Sequence, residues 1–195
     1  MMTHPNIDKF IICLEEYKFL EVFNNWETYL WSNFPYNYTR DIDIMFIGEP
    51  TEELGEKIID FQKYVMDKTE IKIDEQVFED TKVFAHIEEY NRTGDMDLSN
   101  IVKYKTKKVN SPRIYKSEPE QINEYFWKFK LIGVNEKYKF RAGKANLHYP
   151  ILIEDFIKLV FNIKNQDIYN TVNDSSYEKY NKLRHEWRFN RNVNR

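Results

Sequence analysis

The sequence predicts an α+β protein, α/β-like in its first half, on three observations. Residues 40–48 alternate acidic with apolar side chains, residues 52–67 carry a helical apolar stripe behind a good N-cap, and residues 70–78 return to strand alternation. Strand, amphipathic helix and strand in that order build a sheet with a helix laid across one face. The 195 residues are enough to bury a sizeable core and suit one domain, or one domain with a small appendage.

Ile7, Phe10, Ile11, Leu14 and Tyr17, followed by Phe19 and Leu20, recur at helical spacing, and Thr3 or Asn6 can cap the start. A first helix over about 7–20 follows. Residues 26–31 read as a short strand, then Ser32-Asn33-Phe34-Pro35 as a turn and a tyrosine-bearing segment leading into the strand at 40–48. In that strand Ile42, Ile44 and Phe46 point to one side and Asp41 and Asp43 to the other. Gly48-Glu49-Pro50 ends it and Thr51 caps the helix. Glu52 and Glu53 complement the dipole of its first turn, and Leu54, Ile58, Phe61 and Val65 form its buried stripe.

In residues 70–78, Ile71 and Ile73 share one face and Lys72, Asp74 and Gln76 the other, so a third acid lies on a polar strand face. Glu75 has the parity of the isoleucines and is set apart from it. Residues 82–90 and 101–109 read as further strands around the turn-forming residues 91–95. Residues 110–122 form a loop, and 123–132 with 136–141 a hairpin across Gly133. Helices follow over about 151–163 and 176–189, the second with Tyr177, Tyr180, Leu183 and Trp187 on one face. The expected organisation is a core over residues 1–110, with a basic β-hairpin and C-terminal helical extension over 111–195 packed on it as one unit.

Several chemistries are excluded. Cys13, the single cysteine, can form no intramolecular disulfide and sits on an apolar helix face, the usual place of an inert thiol. His4, His86, His148 and His185 have no metal-ligand spacing, and there is no P-loop, dinucleotide fingerprint or nucleophile elbow. Arg141-Ala142-Gly143-Lys144 lacks the first glycine and the Ser/Thr of a phosphate loop. No apolar run approaches the roughly 18 residues of a membrane span, and the first residues lack the layout of a signal peptide. A cytoplasmic, intracellular protein with no membrane partner is expected.

Residues 1–100 hold 9 Lys and Arg against 22 Asp and Glu, a net of −13, whereas residues 101–195 hold 20 against 10, a net of +10. Either the basic half meets phosphates beside an acidic metal-binding half, or the two halves attract each other within one domain. Lys103, Lys105 and Lys107, then Lys128 and Lys130, then Lys137, Lys139 and Arg141 alternate with aromatic or apolar residues. If these strands are adjacent, they offer a basic sheet surface to nucleic acid or to a phosphorylated acceptor; otherwise the lysines solubilise or guard a sheet edge.

Asp41 and Asp43, at i and i+2 on one strand face, can share a magnesium ion while the alternate residues anchor the strand. The order of a strand, a Ser32-Asn33 turn, an Asp41-Ile42-Asp43 strand, a helix and a strand bearing Asp74 resembles the catalytic core of the nucleotidyltransferase superfamily. That superfamily includes DNA polymerase beta, the poly(A) and CCA-adding polymerases and small-molecule adenylyltransferases. The resemblance spans residues 28–77 and implies a nucleotidyltransferase-type mixed sheet with flanking helices. Neither glycine of the family's turn is present, so the Ser32 hydroxyl and Asn33 amide would contact the triphosphate in place of bare backbone.

The resemblance further implies a metal-dependent nucleotidyltransferase moving a nucleoside monophosphate from an NTP to a hydroxyl acceptor, with nucleic acid among the candidate acceptors. Asp41 and Asp43 would hold one Mg2+ or Mn2+, and with Asp74 a second, roughly 3.5–4 Å away, near the attacking hydroxyl. Asp74 could also accept that hydroxyl's proton. The alternative is a catalytically inactive module of the same fold that binds nucleic acid or a protein partner through its basic half.

Overall fold

A computed structural model describes residues 7–30, 41–86, 101–109, 118–131 and 150–158. Its helices are α1 (Ile7–Glu16), α2 (Phe19–Val22) and α3 (Glu52–Thr69). Its strands are β1 (Glu27–Leu30), β2 (Asp41–Ile47), β3 (Lys72–Phe78), β4 (Ile101–Lys105), β5 (Glu120–Gln121), β6 (Trp127–Leu131) and β7 (Ile151–Leu152). They form one mixed α+β sheet in the order β5-β6-β4-β3-β2-β1-β7. Among the described strands only β2 and β3 pair in parallel, joined by α3. Strands from beyond residue 110 lie on both flanks of the sheet, β6 against β4 and β7 against β1.

The helix over 52–67 forms as its sequence dictates and runs two residues further. Thr51 Oγ1 accepts from Leu54 N at 3.2 Å, and Leu54, Ile58, Phe61 and Val65 are all buried. The last turn is extended because Thr69 Oγ1 donates to Val65 O at 2.7 Å and accepts from Ile71 N at 3.1 Å, while Glu70 adopts φ 61 as the left-handed cap. α1 and α3 cover one face of the sheet, where Phe10, Leu14, Phe19, Phe23, Phe46 and Phe61 lie in one apolar cluster with Ile42, Ile44, Ile73 and Val77.

The single helix expected over 7–20 is broken at Lys18, which takes φ 56 and ψ 47. Residues 17 and 19 of an unbroken helix lie roughly 200° apart, yet the rings of Tyr17 and Phe19 both reach Phe61, with centroids 5.0 and 4.9 Å away. The left-handed residue between them makes this possible, and stacking against α3 outweighs its cost of about 1–2 kcal/mol.

Other expectations are corrected by local chemistry. Residues 83–86 are helical, not a strand: Lys82 N donates to Asp80 Oδ1 at 2.8 Å and Phe84 N to Thr81 O at 3.0 Å. This turn buries the adjacent Val83 and Phe84 in one cluster with Tyr29, Met45, Ile47 and Phe78, which a strand's alternation would forbid. β4 ends at Lys105 because the Thr106 side chain and amide turn to Glu75. The loop over 110–122 contains the short edge strand β5.

The strand expected from residue 123 begins at Trp127, since Asn123 Oδ1 accepts from Tyr125 N and Phe126 N at 3.0 and 2.8 Å and closes a turn. Its Nδ2 donates to Pro50 O at 2.8 Å, tying that turn to the start of α3. Residues 151–152 are a strand, and the helix expected there begins at 153. The second hairpin arm, the segment 87–100 and the helix over 176–189 lie outside the described residues.

The turn over 122–126 approaches α3 so closely that a Cβ on Gly55 would overlap the Cβ of Tyr125 and lie 3.1 Å from Phe126 Cε2. Gly55→Ala is therefore expected to destabilise the chain by about 1–3 kcal/mol despite alanine's higher helix propensity. Urea denaturation measures this, and an unchanged or raised midpoint would refute the close approach.

Candidate functional site

The parallel register of β2 and β3 sets Asp41 opposite Lys72 and Asp43 opposite Asp74. All four share a sheet face, because opposed residues in a ladder project to the same side and i, i+2 residues repeat it. The alternate residues Ile42, Ile44, Ile73 and Glu75 are buried on the face covered by α3. The parity that separates Asp74 from Glu75 in the sequence is thus the parity of the structure.

Both carboxylates of that Asp-Glu step find donors at the end of β4. Lys105 Nζ donates to Asp74 Oδ1 at 2.6 Å, with the whole lysine only 6% exposed. On the other face Thr106 N and Thr106 Oγ1 donate to Glu75 Oε1 at 2.9 and 2.6 Å. Gln62 Nε2, from α3, donates to Glu75 Oε2 and to Ile73 O at 3.1 Å. Glu75, 1% exposed, is thereby held by three donors on the helix-covered side of the sheet.

The electrostatics of the open face follow from this pairing. Burial raises the Asp43 carboxyl first, the neighbouring Asp74 and Asp41 charges add to it, and a hydrogen bond with Asp74 completes the rise to about 7. Burial pushes Asp74 the same way, but Lys105, by charge and hydrogen bond, and then Lys107 and Lys72 override it and hold Asp74 below the usual carboxylate range. Lys103 is pushed down to about 8, by burial first and then by the Lys105 ammonium. Two contacting carboxyls, one raised and one lowered, thus sit beside crowded lysines.

The donor set is of hard oxygen type, as magnesium requires. Among the described residues no three or more His, Cys, Asp or Glu side chains form a ready-made metal cage. Magnesium does not depend on one, since it is held by one or two carboxylates together with waters and substrate phosphates. Asp41 and Asp43 fit that demand, whereas one Asp74 oxygen is already taken by Lys105. Ser32 and Asn33 lie outside the described residues; Leu30, two positions before Ser32, pairs with Ile44 beside Asp43.

The continuous basic surface is not formed by β4 and β6. Their register sets Lys103 opposite Phe129 and Lys105 opposite Trp127, so Lys128 and Lys130 lie on the other face with Tyr104 and Val102. The third basic stretch, 137–141, falls outside the described residues. The sequence marks Lys105 only as one lysine of a basic strand face, and it does not mark Thr106, which meets Glu75 on the opposite face. Their alternation was legible, but the β3–β4 pairing that aims them at Asp74 and Glu75 spans a long intervening segment.

Family models, curated proteins and solved structures provide no match to this chain.

Two measurements follow from this geometry. Asp43 has a raised pKa, so its contribution favours folding most fully below pH ~4 and is lost as pH rises through about 7. In chelator, Asp43→Asn should therefore gain on the wild type between pH 5 and pH 8, by about 2–4 kcal/mol at full ionisation; a wild-type–variant difference that stays constant over that range would contradict the raised pKa. Gln62→Leu removes a donor from the buried Glu75 and should cost about 1–3 kcal/mol in urea denaturation. A neutral result would show that Thr106 alone satisfies the carboxylate.

Proposed function

We propose that the chain is a metal-dependent nucleotidyltransferase that transfers a nucleoside monophosphate from an NTP to a hydroxyl acceptor. The observation that carries this reading is the register that sets Asp74 beside Asp43 on the face that also bears Asp41. Three acids on one face, backed by a buried isoleucine ladder, match the residue types that such a transfer needs.

In this reading Asp41 and Asp43 offer oxygen ligands to Mg2+ or Mn2+ and Asp74 completes the acidic face. A bound divalent ion would neutralise phosphate charge and hold the triphosphate in line for displacement. Asp74, kept ionised by Lys105, is the acid to which the acceptor hydroxyl would be offered. Lys72 and Lys107, whose charges act on Asp74, add cations at the rim where phosphate oxygens would lie. Ser32 and Asn33 remain the proposed phosphate-turn contacts. The acidic sheet and its lysines work as one unit: the acids need a cation to coexist, and the lysines keep them from repelling the nucleotide.

Thermal stability measured with each of the four ribonucleoside triphosphates and magnesium tests the proposal. One of them should raise Tm by roughly several degrees at saturating ligand, and Asp43→Asn should fold yet lose the shift. No shift with any nucleotide, or a shift that Asp43→Asn retains, would remove the proposal. Salt-sensitive oligonucleotide binding without a nucleotide shift would favour the inactive module instead.

A further inference from the structure

We draw no further inference here: the strongest candidate, the cluster of lysines around Lys103 that β4 sets beside Asp43 and Asp74 on the open face of the sheet, belongs to the site already described, and nothing among the described residues shows what ligand it would hold.

Discussion

Asp74 and Glu75 are neighbours on β3 whose carboxylates are carried to opposite faces of the sheet, and the arrangement of the chain turns on satisfying both. A buried carboxylate without donors costs several kcal/mol, so strand and helix partners are obligatory. Thr106 and Gln62 meet Glu75 on the covered face, and Lys105 meets Asp74 on the other. Because Lys105 and Thr106 are also neighbours, one placement of β4 satisfies both acids. A shift of one residue would send each donor to the wrong face. The β3–β4 pairing is thus specified by side chains as much as by its ladder, in which Val77 lies opposite Tyr104.

The same placement positions the acidic face. α3 must cross from the end of β2 to the start of β3 for the two to pair in parallel. Its stripe of Leu54, Ile58, Phe61 and Val65, packed on Ile42, Ile44 and Ile73, fixes which sides of those strands are buried. Asp41, Asp43 and Asp74 are left on the far side by elimination. There the apolar cluster of Tyr29, Met45, Ile47, Phe78 and Phe84 covers part of the face and leaves the acids to one end. Asp43 is raised because it is both partly covered and beside two like charges; Asp74 escapes the same fate through Lys105.

What was legible in the sequence was what depends on local periodicity and capping. The acid–isoleucine alternation of β2, the Thr51 cap, the α3 stripe and the separation of Asp74 from Glu75 need only neighbours in the chain. What escaped was decided by contacts between distant segments. Lys18 turns left-handed so that Tyr17 and Phe19 can both reach Phe61. Val83 and Phe84 leave the strand pattern because they fill one apolar cluster together. Asn123 spends its side chain on its own turn and on Pro50, which delays β6. In the site, the acids were readable and their cation was not, since no spacing rule links Lys105 to Asp74.

The charge asymmetry of the chain acquires a concrete meaning at that seam. Asp74 belongs to the acidic first half and Lys105 to the basic second half, and their contact is a buried one. At this point the halves attract each other within one sheet, as a self-complementary domain requires. The lysines do not gather on one surface: those of β4 face the acids while Lys128 and Lys130 of β6 face the opposite way. A basic strand therefore serves here to neutralise an acidic one, and the positive charge of β4 is spent inside the acid cluster before it can act on an external phosphate. What an anionic ligand approaching this face meets is therefore set by the balance between Asp41, Asp43 and Asp74 and the lysines crowded beside them, Lys72, Lys103, Lys105 and Lys107.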